Sequence, residues 1–258
     1  QELLYTGFYW YKSGVTETMI KALKEIANLA EQRFNLQSGD VMLDIGSNDG
    51  TLLRQFTVPG LITVGVEPAT NLAEEGSKGI THLINDFWIY DKYFSVVGKK
   101  AKVITALGMF YDMEDPNQFI ADAEKALTDD GVFIAQLMCL KNMLDSNDVG
   151  NICHEHLEYY SFASLEYLFG QNGLEIFDIE INNVNGGSYR LYAKKKGAMI
   201  NIPEGAAERI AQVKEEEKDF QDKKVYQDFF QRLEDNKKKC VDFIKQETAN
   251  GKKVWVFG

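Results

Sequence analysis

The chain has 258 residues, of which 45% are hydrophobic and 26% charged, and it carries a formal net charge of -11. Such a length buries a sizeable core, as one large domain or as a domain with an appendage. The acidic balance argues against nucleic acid as the main partner, because phosphate backbones require basic surfaces. No apolar stretch is long enough to span a bilayer, and no signal peptide is visible. The three widely spaced cysteines exclude a disulfide framework and a CxxC zinc site, and they fit a cytoplasmic protein.

The first half of the chain alternates between predicted strands and helices. An irregular aromatic arm, residues 1–14, precedes an amphipathic helix over Glu17–Phe34, whose apolar residues recur near helical spacing. Alternating strand and helix units imply a parallel sheet with helices on both faces. The strands are predicted at 41–46, 61–67, 81–84, 102–107 and 131–138, with a helix opening at 51 and another over 116–127.

The second half of the chain has a different character. A helix over 161–173 precedes two strands, 174–181 and 188–196, whose NNVNGG connection carries Asn-Gly and Gly-Gly hairpin signals. Residues 204–250 are charged and helical, and 251–258 resemble the first strand of another α/β unit. The helical part is interpreted as a solvated connector, with a partner-docking stripe as the alternative. The apolar residues of that stripe are Ile210, Val213, Phe220, Val225, Phe229, Phe230, Leu233, Val241 and Ile244.

The segment VMLDIGSNDGTLL (41–53) gives the strongest local signal of a ligand site. It places Asp44 near the end of a strand, followed by a turn that contains Gly46 and Gly50. Glycines let the backbone bend tightly and approach a ligand without a Cβ clash. The spacing is G-x-x-x-G and not G-x-G-x-x-G, and Asp44 and Asp49 would repel a phosphate but attract an ammonium group. A sulfonium amino-acid nucleoside therefore fits this turn better than a dinucleotide does.

Two further strand ends extend this cofactor site. Glu67 follows the second strand, where a carboxylate accepts hydrogen bonds from ribose hydroxyls. After the third strand, Asp86 is available to an adenine amino group and Phe87 to the adenine face. Each strand end alone is compatible with a structural turn, but ligands bind at the carboxyl ends of open α/β sheets. The residues predicted to contact the cofactor are Asp44, Gly46, Ser47, Asn48, Gly50, Glu67, Pro68, Asp86, Phe87 and Leu107.

Two of the three histidines lie in ICHEHLEYYS (152–161), after the fifth strand, and His82 in the third strand is interpreted as structural. In an extended segment His154 and His156 share a side and Glu155 points away. A metal site would need a third ligand, and the H-E-x-x-H spacing is absent, so no metal is predicted. A hydrogen-bonded loop is the other alternative. General acid–base catalysis is favoured, because histidine titrates near neutral pH.

Four segments, DIGSNDGTLL, VGVEPATNLA, ICHEHLEYYS and NNVNGGSYRLYAKKKG, occur in the order seen in bacterial sugar C-methyltransferases, and from about Tyr5 onward the chain resembles that family. Those enzymes use S-adenosylmethionine to methylate a ring carbon of nucleotide-linked 4-keto deoxysugars. The resemblance implies a Rossmann-like class I α/β fold, with a mostly parallel seven-stranded sheet and an antiparallel C-terminal hairpin strand. It also implies a methyltransferase domain over 15–200.

Two parts of the family's usual architecture differ here. Family members typically carry an N-terminal zinc-binding domain with cysteine pairs, which this chain lacks. They also carry a C-terminal Rossmann-like domain, and residues 201–258 resemble its helical start and first strand. We therefore expect either a truncated polypeptide or a minimal enzyme. The partner implied is a small nucleotide sugar, and the oligomeric state is left open.

By the same resemblance, His156 is the base that removes a proton next to the sugar's keto group, and the resulting enolate attacks the donor methyl group. The residues predicted to assist it are Cys153, His154 and Glu155. The family often has Tyr at Cys153 and His at Asp112, so the groups that stabilise the enolate differ here. A buried, purely structural Cys153 is the alternative.

The remaining site predictions also follow from the resemblance. The YWYKSG segment is similar to one that lies near the cofactor or the substrate, which adds Tyr11 and Ser13 to the cofactor set. A sugar diphosphate would suit the bidentate geometry of Arg190, although an exposed strand residue is the alternative. The predicted substrate contacts are Asp112, Lys141, Asn142, Asn185, Ser188 and Arg190. O- or N-methylation, or cofactor binding without catalysis, are the alternative functions.

Overall fold

Seven strands form one sheet in the computed structural model, which describes residues 2–256. They are β1 Val41–Ile45, β2 Ile62–Val66, β3 His82–Ile84, β4 Ala101–Leu107, β5 Leu127–Met138, β6 Leu174–Asn182 and β7 Ser188–Lys195. Their order across the sheet is β3-β2-β1-β4-β5-β7-β6. The pairs are parallel except those that β7 makes with β5 and β6. The prediction of a mostly parallel sheet with an antiparallel C-terminal hairpin is confirmed.

Helices connect the strands and cover the sheet. They are α1 Glu2–Tyr5, α2 Glu17–Phe34, α3 Ala73–Gly76, α4 Tyr90–Val97, α5 Pro116–Ala126, α6 Leu140–Ser146, α7 Phe162–Gln171, α8 Ala206–Glu216 and α9 Lys223–Ala249. The helix expected to open at residue 51 is only a short 3-10 helix, Leu53–Gln55. Pro59 follows too soon for an α-helix to extend, because proline removes a backbone donor and disfavours helical conformation at the preceding residue.

The helix α2 covers one face of the sheet. The Thr16 hydroxyl accepts from the Met19 N–H at its start, and Asn35 ends it in the left-handed conformation. Its buried side chains pack with residues of β1, β4 and β5 on this face. On the opposite face, α5 and α7 pack Phe119 and Phe169 against Phe133. Since both faces are covered, β1 is buried throughout, as central parallel strands are.

The charged C-terminal segment folds as α8 and α9. Val213 and Phe229 are buried against the domain, whereas Phe230, Val241 and Ile244 are at least 37% exposed. Residues 252–256 form no strand, which differs from the prediction, because a strand needs a hydrogen-bonded neighbour; Phe257 and Gly258 lie outside the described residues. None of the helices within residues 2–256 is long and apolar enough to cross a membrane.

Candidate cofactor and active site

Two adjoining cavities lie at the carboxyl ends of β1, β2 and β4. The larger has a volume of about 490 Å³ and the smaller about 230 Å³. The residues that line both are Tyr9, Tyr11, Ser13, Gly46, Leu107 and Gly108. Because so many lining residues are shared, the two cavities form one cleft. This is the edge of an open α/β sheet at which ligands bind, and the size suits a small molecule.

Asp44 lies near the end of β1 and lines the smaller cavity. Its side chain is buried, and the Thr105 hydroxyl donates to its Oδ1 at 2.6 Å. Burial raises the pKa of Asp44 to about 7, while the Thr105 hydrogen bond acts in the opposite direction. A buried carboxyl group of this kind favours a cationic neighbour, which stabilises its charged form.

Glu67 follows β2 directly and lines the larger cavity. The backbone N–H of Asn48 donates to its Oε2 and that of Ala69 to its Oε1, each at 2.8 Å. Burial raises the pKa of Glu67, and the two backbone hydrogen bonds act to lower it. Each carboxylate oxygen accepts two hydrogen bonds, so both oxygens keep acceptor capacity for a ligand. A vicinal diol, such as that of a ribose, matches this pair of acceptors.

The two glycines of the turn after β1 have different roles. Gly46 lines both cavities at φ +74°, and a Cβ there would lie 2.9 Å from Met109 Cγ. Gly50 lines neither cavity. A Cβ on Gly50 would lie 2.7 Å from the Gly76 carbonyl oxygen, so glycine is needed for loop packing. The structure thus gives Gly50 a packing role in place of the predicted cofactor contact.

The other predicted cofactor residues differ in whether they line a cavity. Pro68, Phe87 and Asn48 line the larger cavity and Ser47 the smaller one, and Leu107 lines both. Asp86 lines neither. It is paired with Lys92, which lowers the pKa of the Asp86 carboxyl group. The predicted contact between Asp86 and an adenine amino group therefore competes with an existing ion pair.

The centre of the turn after β1 holds the aromatic arm. Asn48 Nδ2 donates to the Tyr11 carbonyl oxygen at 3.0 Å, and its Oδ1 accepts from the Ser13 N–H at 2.9 Å. Asp49 Oδ2 accepts from the Gly14 N–H at 2.8 Å. The arm thereby places Tyr11 and Ser13 in the cavity walls. This role of Asn48 and Asp49 was not predicted, because nothing in the turn's spacing specifies a partner so distant in sequence.

His156 is held in one tautomer beside the cleft. Its Nδ1 lies 2.9 Å from the Asn151 carbonyl oxygen, which can only accept a hydrogen bond. Nδ1 therefore carries the proton, and Nε2 is left as the acceptor. The ring packs edge-on against Tyr111, with centroids 4.5 Å apart. His156 lines neither cavity, but Tyr111 lines the smaller one and Asp112 the larger.

The other three predicted catalytic residues are placed less favourably. His154 is 81% exposed, and its Nδ1 lies 3.3 Å from the Glu155 carboxylate. The Glu155 backbone N–H and the Cys153 thiol lower the pKa of Glu155. Burial raises the pKa of the half-buried Cys153. Because residues 154–155 form a turn, the extended alternative, in which His154 and His156 share a side, is wrong.

Asp112 is buried between the arm and the histidine segment. The Tyr5 hydroxyl donates to its Oδ2 at 2.9 Å. Burial raises the pKa of Asp112 to about 6, whereas the Tyr5 hydrogen bond and the charge of His156 act to lower it. Tyr5 and Tyr111 also line the cleft, and neither is predicted from the sequence, because a single tyrosine outside a recognisable pattern does not indicate a position in a site.

Arg190 is buried on the face of the sheet that α2 covers. Its Nε donates to Gln136 Oε1 and its NH1 to Glu25 Oε1, each at 3.0 Å. A second carboxylate, that of Glu180, lies 3.7 Å from NH1. The strand β7 lies between β5 and β6, and the Arg190 side chain is buried on this covered face. These contacts contradict the prediction that Arg190 holds a sugar diphosphate.

Most other predicted substrate residues have structural partners. Lys141 pairs with Asp145 at 2.5 Å. Asn142 packs so closely against Gly187 that a Cβ there would lie 2.1 Å from its Nδ2. Ser188 is buried and donates to the Val184 carbonyl oxygen at 2.9 Å. Asn185, by contrast, lines the smaller cavity. Of the hairpin residues predicted to bind substrate, Asn185 is thus the one at the cleft.

A metal centre has no counterpart in the part of the chain that the structure describes. No group of three or more His, Cys, Asp or Glu side chains there is arranged to hold a metal ion.

A Rossmann-like sheet with acidic residues at the ends of β1 and β2 is accompanied by clear family matches. Residues 12–179 match the family described as "Methyltransferase domain", and residues 183–258 match "C-methyltransferase C-terminal domain". The chain belongs to the methyltransferase-domain family. This membership, together with structural relatives solved with S-adenosylmethionine or its demethylated product, supports S-adenosylmethionine as the cofactor.

Individual relatives are more distant. The chain is 27% identical, over 98% of its length, to C-methyltransferase NovU from Streptomyces niveus, and it spans 60% of that protein. An S-adenosylmethionine-dependent methyltransferase from Clostridium acetobutylicum shares the fold at a TM-score of 0.52 and 14% identity, over 70% of this chain and 93% of that one. The magnesium protoporphyrin IX methyltransferase of Synechocystis shares the fold at a TM-score of 0.53 and 13% identity, over 72% of this chain and 90% of that one.

Proposed function

We propose that S-adenosylmethionine lies across both cavities, with its adenosine in the larger and its amino-acid end in the smaller. The observation that carries this placement is the pair of buried carboxyl groups, Asp44 and Glu67, each lining a different cavity. Glu67 has two oxygens available to the ribose diol, and Asp44 suits the ammonium group. Gly46 leaves the space that a Cβ would fill. When bound, the cofactor supplies a methyl group on a sulfonium sulfur.

We infer further that the acceptor is a carbon atom. The match to a C-methyltransferase C-terminal domain and the likeness to NovU support this inference. Carbon becomes nucleophilic when a base removes a proton next to a carbonyl group. His156 Nε2, left as the acceptor by the Asn151 carbonyl, serves as that base. The nearby Asp112 carboxylate stabilises the histidine once it has gained the proton.

The acceptor proposed is the carbon next to the keto group of a nucleotide-linked 4-keto deoxysugar. This substrate class follows from the likeness of the HEHLEYYS and NGGSYR segments to the sugar C-methyltransferases. The 4-keto group acidifies the adjacent C–H bond, so the enolate left after proton removal would be the nucleophile for the methyl group that the cofactor would supply. A neutral thioether, S-adenosylhomocysteine, would be the leaving group. Tyr111, which packs against His156, and Asp112, on which the charge of His156 acts, adjoin the proposed base, and Asn185 lines the smaller cavity.

Deuterium exchange at the sugar carbon tests this function without methyl transfer. The protein is incubated in deuterated water with a nucleotide-linked 4-keto-6-deoxysugar, and loss of the α-hydrogen is followed by NMR. We expect exchange with the unmodified protein, its loss in His156→Ala, and its retention in His154→Ala, a matched control that changes an exposed histidine. Absence of exchange in a sample that binds S-adenosylmethionine would contradict C-methylation and favour an O- or N-acceptor or a binding role.

A further inference from the structure

Side chains of two loops hold the aromatic arm across the cleft. One loop is the turn after β1, through Asn48 and Asp49 as described above. The other follows β2, where the Asn71 side chain forms hydrogen bonds with both the backbone N–H and the carbonyl oxygen of Tyr9. Its Oδ1 accepts from the Tyr9 N–H at 3.1 Å, and its Nδ2 donates to the Tyr9 carbonyl oxygen at 3.0 Å. Its neighbour Thr70 donates its hydroxyl to the Thr6 carbonyl oxygen at 3.0 Å.

Alternate side chains of the arm face opposite ways. Tyr9 and Tyr11 line both cavities, whereas Phe8 is 76% exposed and Trp10 is 87% exposed. The arm residues 6–12 form no helix or strand. Their position therefore depends on the polar contacts made by the two loops and on the inward tyrosines.

The arm crosses the cleft where the two cavities meet. Tyr9, Tyr11 and Ser13 belong to the walls of both cavities, so a ligand that occupies both passes beneath them. An ion pair between Lys12 and Glu75 also joins the arm to the domain, but both side chains are more than a third exposed, and such pairs contribute little. The paired hydrogen bonds of Asn71 are the more specific restraint.

We propose that Thr70 and Asn71 are positioning residues that act through the arm to hold it closed over the cofactor and so set the rate of cofactor release. Both are exposed, and neither lines a cavity, so their effect passes through Thr6 and Tyr9. This inference rests on the placement of the cofactor across both cavities, and it does not depend on the identity of the methyl acceptor.

The dissociation rate of S-adenosylhomocysteine, measured by surface plasmon resonance on the immobilised protein, tests the proposal. Removing both hydrogen bonds in Asn71→Ala is expected to raise this rate about tenfold, and removing one in Thr70→Val about threefold. The thermal midpoint should stay within about 2 °C in both variants, since the side chains are exposed. Hydrogen exchange of the Tyr9 amide should become faster in Asn71→Ala.

A matched control separates this effect from a general loss of stability. Gln37→Ala removes an exposed amide that bonds Asn35, near the opposite end of β1, and should leave the dissociation rate unchanged. If the unmodified protein binds S-adenosylhomocysteine but Asn71→Ala releases it at the same rate, the positioning role is wrong and the cofactor assignment stands. If the unmodified protein does not bind it, both are contradicted.

Discussion

The half of the cleft around β1 and β2 is built on strand ends, whereas the half around His156 is built on the loop between α6 and α7. In the first, called the cofactor half, β1 and β2 are neighbouring strands in the register Ile45–Val66, with Asp44 near the end of β1 and Glu67 directly after β2. In the second, the acceptor half, His156 depends on the Asn151 carbonyl oxygen and on Tyr111, whose carbonyl oxygen accepts from the Leu157 N–H at 3.0 Å. A sheet fixes its strand ends directly, but a loop is fixed by contacts that sequence spacing does not reveal.

Replacing the acidic residue after β2 should produce the largest effect on the cofactor half. Glu67→Gln keeps one oxygen acceptor and removes the charge, so the affinity for S-adenosylhomocysteine should fall by about tenfold to hundredfold. Isothermal titration calorimetry measures this change. Glu74→Gln is the matched control, because the Glu74 side chain is 91% exposed. Equal affinities of the two variants for S-adenosylhomocysteine would contradict the claim that residues at the strand ends bind the cofactor.

A smaller effect should appear in the pH dependence of binding. Burial raises the pKa of Asp44 from 3.8 to about 7, so the folded state retains a proton that the unfolded state releases over this interval. Ionisation of Asp44 therefore lowers the free energy of unfolding as the pH rises from 3.8 to about 7. Above about pH 7 this group causes no further decrease in the free energy of unfolding. The cofactor ammonium favours the charged form, so affinity should rise by at most about tenfold between about pH 6 and about pH 7 and level off above the folded pKa.

The contribution of Asp44 is isolated by substitution. Titrations across this pH range, in buffers of different ionisation heat, report the proton released on binding. Asp44→Asn should flatten the pH dependence, because Asn does not titrate. A slope that persists unchanged in Asp44→Asn would assign the proton to another group. The candidates are Glu67, whose charge acts on Asp44 and whose pKa burial raises, and Asp112, whose pKa burial raises to about 6.

The sequence predicted the fold and the cofactor half more completely than the acceptor half. Apolar runs and hairpin signals predicted all seven strands, because those patterns arise from burial on both faces of one sheet. Asp44, Gly46 and Glu67 line the cavities, as expected for residues at or just after the carboxyl ends of neighbouring parallel strands. The spacing of the turn predicts that Gly50 contacts the ligand, but glycine is needed there because a Cβ would clash with the Gly76 carbonyl oxygen. Spacing alone does not distinguish a glycine needed for ligand contact from one needed for loop packing.

Two differences from the expectations concern Arg190 and the histidine segment. The guanidinium group of Arg190 makes it a candidate phosphate ligand, but this group donates hydrogen bonds to Gln136 and Glu25. His154 and His156 would share a side only in an extended segment, but residues 154–155 form a turn. The direction of Arg190 is set by side chains distant in sequence, which residue type and spacing do not specify. The turn at the histidines is local, because the His156 N–H donates to the Cys153 carbonyl oxygen at 3.3 Å.

A crystal structure of the protein with S-adenosylhomocysteine tests the account most directly, because it locates each end of the ligand. We expect the ribose hydroxyls within hydrogen-bonding distance of Glu67, the ammonium group in the smaller cavity with Asp44, and the sulfur atom on the side of the cleft that faces Tyr111 and His156. A ligand that left Glu67 and the larger cavity free, or that turned its sulfur away from His156, would contradict the account.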